Sequence, residues 1–300
     1  MNLHPAKKHE SITIVLAPFD QYSAFARAIE AILKHTRAPF ELIILEGGAP
    51  QSIRQQIESR KKNLKHVKVI YSNHRPRMAE AFNIALPHIR TQRAFFTHNN
   101  LRVTPHWLEN LLAYAKSRPG VACPFVTPLH ADLSRHFELD YPVTYAKDHG
   151  QSRSSHEVDM HGFLIEKSLL SSIGEFDEKV GTPLVGVDLS QHLKRLDVPV
   201  HRDPFTVLEY ESSNIRKSFD INMFHHQWDE HHAQESLRYL NKKWGLHLQE
   251  ASYLEWLEKK RLLLRKRLTA MPSLTWEDPF LSLEFPKIGL KKFLQVLTRA

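Results

Sequence analysis

Phe95-Phe96-Thr97-His98-Asn99-Asn100-Leu101-Arg102-Val103-Thr104-Pro105-His106-Trp107-Leu108 is the stretch whose reading decides the fold. Phe95 and Phe96 read as the end of a buried strand. A polar triplet and a short turn follow, and Pro105-His106-Trp107-Leu108 opens a helix. Polar side chains gathered just beyond the carboxyl end of a strand mark the place where open α/β sheets bind their ligands.

Upstream, the pattern repeats. Ser11 to Ala17 is a compact β-branched run that ends at Pro18 and reads as a buried strand. Helical spacing follows over 23–35, with Phe25, Ala28, Ile29, Ile32 and Leu33 on one face. Phe40 to Leu45 is a second strand, stopped by Glu46-Gly47-Gly48. A helix is expected over 51–61, a strand over 67–71, a helix over 77–89, a strand over 93–97 and a helix over 107–117. Four alternations of strand and helix predict an α/β fold with a mostly parallel, Rossmann-like sheet covered on both faces. Asp20, Glu46, Arg77 and the triplet at 98–100 all fall at or just past strand ends.

Downstream, the order loosens. Strands are expected over 121–126 and 160–165, helices over 166–173 and 188–196, and a late strand within 199–210. The segment 128–153 reads as a loop-rich insertion over the site. Beyond Asn214 the chain turns helical and basic, over 223–244 and 252–268, with a further basic amphipathic helix at 288–297. This divides the chain into an α/β domain, 1–214, and a helical extension, 215–300.

Composition agrees with a folded protein: 42% of the 300 residues are hydrophobic and 25% charged. No run of eighteen apolar residues suggests a membrane span. The first ten residues lack the apolar core of a signal peptide, and the single cysteine, Cys123, suits a reducing compartment. A cytoplasmic protein is expected. The net charge of +8 is spread along the chain without any nucleic-acid-binding motif, so no nucleic acid is expected. A phosphate-rich small substrate accounts for the excess, as does peripheral contact of the basic C-terminal helices with an anionic membrane face.

Several short motifs, in order, resemble glycosyltransferase family 2, whose members have the GT-A fold. The first strand with Pro18-Phe19-Asp20 is similar to that family's strand followed by Pro-Tyr-Asn. Phe40 to Gly48 is similar to its "FEIIVVDDGS" segment, and Asn73 with Ala79, Ala81 and Asn83 to its "N…A…N" helix. Phe95 to Leu108 is similar to its DxD turn and Pro-x-Trp-Leu helix. His161 to Ile165 with Ile173 to Glu178 is similar to its acceptor-side "GGFDE" segment, Val187-Asp188-Leu189 to the end of EDxDL, and Tyr239 to Gly245 to a late Lys-Trp-Gly element. The resemblance covers roughly residues 11 to 245.

That resemblance implies a nucleotide-diphosphate sugar as donor, a glycan or lipid-linked acceptor, and inverting transfer in cell-surface polysaccharide synthesis. It also implies a divalent metal, manganese or magnesium, to neutralise the leaving diphosphate. Carried over residue by residue, Pro18, Asp20, Glu46, Arg77, Asn83 and Asn99 fall at donor-binding positions, and His98, Asn100 and Glu209 at metal-ligand positions. Asp188 falls where a base would sit. Each has a second reading: Glu46 as a solvated strand-end acid, Asp20 as a turn former, Arg77 as an exposed helix-starting residue, Asn83 as a backbone cap, Asp188 as a helix N-cap.

The departures from the family are specific. His98-Asn99-Asn100 carries no carboxylate, and Val185-Gly186 stands where the first two acids of EDxDL belong. Neutral amide ligands hold a hard cation weakly. Metal-independent or manganese-selective transfer is therefore expected, with a degenerate nucleotide- or glycan-binding protein, or a partner of an active transferase, as the alternative. The histidines at 225, 226, 231 and 232 read as a polar helix face rather than a zinc site.

Overall fold

The computed structural model describes residues 11–128, 157–211 and 217–269. The expected insertion at 128–153 and the basic helix at 288–297 lie essentially outside them. An eight-stranded sheet forms the centre, in the order β3-β2-β1-β4-β7-β6-β8-β5. The strands are β1 (Ile12–Ala17), β2 (Phe40–Leu45), β3 (Val67–Ile70), β4 (Arg93–His98), β5 (Leu101–Val103), β6 (Val121–Pro128), β7 (Gly162–Glu166) and β8 (Val200–Tyr210). β3, β2, β1 and β4 run parallel; β7 is antiparallel to β4 and to β6, β8 runs with β6, and β5 opposes β8. The sheet is thus mostly parallel, with β7 and β5 reversed.

The first half follows from local chemistry. All six residues of β1 are buried because the strand lies between β2 and β4 and is covered on both faces. Helix α1 (Phe25–His35) buries Phe25, Ala28, Ile29 and Ile32, the i, i+3, i+4, i+7 stripe of an amphipathic helix. Helices α2 (Gln51–Lys61), α3 (Met78–Ala85) and α4 (Trp107–Lys116) complete the alternation. α3 stops earlier than its periodicity suggests, because Pro87 lies in a 3-10 turn over Leu86–His88.

Three further differences bear on the site. The turn expected after the triplet is the strand β5, whose Leu101 and Val103 are buried against β8. Helix α6 (Val185–Arg195) starts three residues before Asp188, led in by a 3-10 turn at Thr182–Leu184; α5 (Lys167–Ile173) precedes it. The long helix expected over 223–244 is two helices, α7 (Ser218–Gln227) and α8 (Glu230–Trp244). They break at Trp228-Asp229, where the Asp229 carboxylate accepts the His232 N–H at 2.8 Å and caps α8. α9 (Glu250–Thr269) then returns toward the sheet, burying Tyr253, Trp256 and Leu257. Among the described residues no helix is long and apolar enough to cross a membrane.

Candidate functional site

β1 and β4 are neighbours with Ala17 opposite His98, so the triplet emerges beside Pro18-Phe19-Asp20. Asn99 fastens the two loops together. Its Oδ1 accepts the Phe19 N–H at 2.9 Å, its Nδ2 donates to the Gln21 carbonyl at 2.6 Å, and its own N–H donates to the Ala17 carbonyl at 3.1 Å. Asn100 reaches further. Its Nδ2 donates to Asp20 Oδ1 at 2.6 Å and to the Glu211 carbonyl at 3.2 Å, while the Glu211 N–H donates back to the Asn100 carbonyl at 2.8 Å. Asn100 Oδ1 is buried without a hydrogen-bond partner.

His98 is fully buried and stacks on Phe19, ring centroids 4.1 Å apart. Its Nδ1 accepts the Asn100 N–H at 3.2 Å, so the neutral ring carries its proton on Nε2 and donates to His161 Nδ1, 2.6 Å away. Burial pushes its pKa well below the usual value, aided by His161 and by the ammonium of Lys260. Tyr210 closes this cluster, its ring 4.6 Å from that of His161.

Glu46 is fully buried, and its carboxylate is filled by its own surroundings. It accepts N–H bonds from Ala49 at 2.6 Å and Ser72 at 2.8 Å and holds the Arg54 guanidinium at 3.0 and 3.2 Å. This organises the turn through Gly47 and Gly48, both at positive φ. Pro18 packs on that turn, so close that a side chain at Gly47 would collide with its ring. The strand-end acid is therefore not solvated, and its oxygens hold the β2 and β3 ends together.

Arg77 occupies the N-cap position of α3. It is half-buried, its Nε lacks a partner, and its charge helps hold His226 and His232 neutral. Asn83 caps backbone: it receives the Phe176 N–H at 2.7 Å and donates to the Phe176 carbonyl at 2.9 Å. Glu209 lies on the face of β8 opposite Tyr210, since strand side chains alternate. It is Tyr210 that meets His98 and His161. The carboxylate of the next residue, Glu211, is drawn off by Arg27 at 2.9 and 3.0 Å and Arg102 at 3.1 Å.

Asp188 lies inside the first turn of α6, so it is not that helix's N-cap. Its Oδ1 accepts from Trp244 Nε1 at 2.6 Å and from Lys243 Nζ at 2.8 Å. The Lys-Trp-Gly element thus anchors α8 to α6. Lys243 also holds Asp177 at 2.8 Å, which draws that carboxyl pKa down against the upward push of burial. Gly186, at the position of the lost acid, has no room for a side chain: a Cβ there would meet the Val158 carbonyl oxygen and Met160 Cγ at 2.7 Å.

Three groups that sequence reasoning did not single out complete the site. Trp228, between α7 and α8, donates from Nε1 to Asp20 Oδ2 at 3.3 Å and packs edge-on against Phe19. Asp220 of α7 accepts the Ser23 N–H at 3.1 Å, and burial raises its pKa to about 6. Lys260 of α9 is 5% exposed, with its ammonium 3.9 Å from Asp20 Oδ2. They lie between 197 and 240 residues from the residues they contact, and a lysine in a basic helical run carries no local mark of it.

The residues at the expected metal position do not fit a divalent cation. Both ring nitrogens of His98 are engaged by protein, and Asn100 offers one neutral oxygen. The carboxylate that bonds the triplet is that of Asp20, and a lysine ammonium already faces it. Among the described residues no group of three or more His, Cys, Asp or Glu could hold a metal ion. The paired histidines of α7 and α8 form no such group.

The fold and the strand-end site define a GT-A glycosyltransferase architecture. The family model for Glycosyl transferase family 2 matches residues 13–171, more than half of the chain, and the chain belongs to that family. Solved structures share the fold at low identity. A mannosyltransferase from Pyrobaculum calidifontis, in complex with GDP-Man and Mn2+, is 12% identical with a TM-score of 0.55, covering 89% of this chain and 77% of that one. Glucosyl-3-phosphoglycerate synthase from Mycobacterium tuberculosis, in complex with phosphoglyceric acid, is 14% identical with a TM-score of 0.54, over 80% and 82%. GalNAc-T7 with UDP, GalNAc and Mn2+ is 11% identical with a TM-score of 0.51, over 86% of this chain and 57% of that one. No curated protein matches the sequence.

Proposed function

We propose that this chain binds a nucleotide-diphosphate sugar beyond the ends of β1, β2 and β4 and transfers the sugar to a glycan or lipid-linked acceptor. The reading places that transfer in the cytoplasm, in cell-surface polysaccharide synthesis. The observation that carries it is the cluster of Asp20, His98, Asn99 and Asn100 at adjoining strand ends, in a chain of this family. The unpartnered Asn100 Oδ1 suits a hydrogen bond from a base or ribose, and Arg77 brings a guanidinium to the rim for a phosphate.

Transfer in this chain proceeds without a divalent cation. Deprotonating the acceptor falls to Asp188, the remaining carboxylate of its motif, which Lys243 and Trp244 hold in place. Its Oδ2 is the oxygen for the acceptor hydroxyl, with His192 3.8 Å away. The full Gly186 position favours a second reading, a nucleotide- or glycan-binding relative without turnover.

Calorimetric titration with UDP- and GDP-sugars, followed by turnover over a panel of glycan and lipid-linked acceptors, separates the two. Binding with turnover that survives chelator supports transfer, and D188N should then lower kcat by at least about tenfold. Binding without turnover establishes the second reading. Turnover abolished by chelator and restored by manganese or magnesium overturns the metal-free assignment.

A further inference from the structure

We propose that Lys260 is the resident cation of the donor site, standing where a divalent ion would stand and facing the diphosphate of the bound nucleotide. The inference rests on the nucleotide-binding reading above and names the group that supplies its countercharge.

Four observations converge on this one side chain. Lys260 comes from the last described helix, yet its ammonium lies 3.9 Å from the Oδ2 of Asp20, in the loop that ends β1. The other oxygen of that carboxylate is bonded to Asn100, the last residue of the triplet. Aromatic faces enclose the charge: the ammonium is 3.9 Å from the Trp228 ring centroid and 5.7 Å from those of Phe19 and Trp256. The lysine is 5% exposed, although lysine is among the residues least often buried. A fold retains a buried ammonium only where carboxylate and aromatic faces replace its water.

The neighbours are what a fixed cation requires. His98, against which Phe19 stacks, is held neutral, and among the described residues no group of three or more His, Cys, Asp or Glu could hold a metal ion. In a metal-dependent site acidic side chains recruit the ion, and the ion meets the phosphate oxygens. Here Asp20 lies beside a covalently tethered cation instead. An ammonium has three N–H donors and imposes no coordination geometry, so it can serve a carboxylate and a phosphate oxygen together.

The test is binding of UDP and GDP to the full chain by calorimetry, in EDTA and in manganese, with melting curves for every variant. Wild type should bind with affinities that agree within about twofold in the two buffers. K260M should weaken binding at least tenfold, K260R should recover part of it, and K259M, altering a neighbour bonded to Glu255, should match wild type. Binding by wild type that requires manganese overturns the proposal and leaves the nucleotide-binding reading intact. So does unchanged binding by a folded K260M. Should K260M fail to fold, the wild-type comparison and K260R still decide it. Wild type that binds neither nucleotide in either buffer overturns the nucleotide-binding reading itself, and this proposal with it.

Discussion

At the scale of single residues, two positions show how completely this chain has left the ordinary acid arrangement. Gly186 is in contact with the Val158 backbone, so the missing acid cannot be restored by substitution alone. G186D should cost roughly 3 kcal/mol through overpacking and a buried charge, a fall in melting temperature of roughly 5–10 °C, without gain in turnover. The second position is Asp220. Its folded pKa, about 6, lies above the ordinary 3.8, chiefly from burial. The native state therefore keeps a proton that the unfolded chain releases, and stability is lost as pH rises through 6. His98 and His226 act oppositely. Burial lowers both, His226 to about 4 with help from Arg77, so the unfolded chain takes up protons that the native state refuses. Their contribution is present above 6.5 and lost as pH falls below it, for His226 down toward 4. D220N should therefore stabilise the protein by about 2 kcal/mol at pH 7.5, and the gain should fade near pH 4. H226Q should flatten the acid limb below pH 6.5. Denaturant unfolding of the two variants across that range checks both signs. Cys123 needs no such test: it is buried, and its thiol pKa is pushed up to about 12, so it is inert packing.

At the scale of elements, the break between α7 and α8 sets the site, because it turns Trp228 inward to Asp20. Asp229 caps α8 there, and D229A should cost about 1 kcal/mol, read as a lower denaturant midpoint with an unchanged slope. Little in the sequence warns of this break, since helical spacing runs through 223–244, and only a polar Asp before Glu230 marks it. The first half of the sheet was legible because each strand and helix there carries its own period and pairs with a near neighbour. Phe95-Phe96 correctly located the buried end of β4 and the polar turn beyond it. β5 was not legible: three residues form a strand only because β8 arrives from a hundred residues away to pair with them. The same holds for the site. Asp20, His98, Asn99 and Asn100 were found by position, and the structure brings them together. Glu209 was one residue from Tyr210, and strand alternation put it on the other face. Asn83 and Glu46 were recognised as positions, while the backbone groups they satisfy depend on Phe176 and Ser72, which no local pattern joins to them.

At the scale of the whole molecule, the C-terminal helices and the sheet share one site. Trp228, in the turn before α8, and Lys260 of α9 reach Phe19 and Asp20, Trp256 packs on Trp228, and Asp220 reaches Ser23 from α7. A chain built as a complete α/β domain with a dispensable helical extension would fold without α9. The packing argues otherwise. α9 buries Tyr253, Trp256 and Leu257 in the same hydrophobic core as β1 and α1. Burying each such side chain contributes about 1.5–3 kcal/mol, so the three together are worth on the order of 6 kcal/mol. That is comparable with the total stability of a typical domain, about 5–15 kcal/mol. Removing them would also leave Trp228 and Asp20 facing water, with the Asp20 carboxylate short of the ammonium beside it. A chain ending at Gly245 should therefore lose its near-ultraviolet circular dichroism and its cooperative melt, and be cleaved by protease within β1 to β4 under conditions where the full chain resists. A cooperative melt in the shortened chain, within a few degrees of the full one, would show instead that the sheet is self-sufficient and that α9 is an appendage.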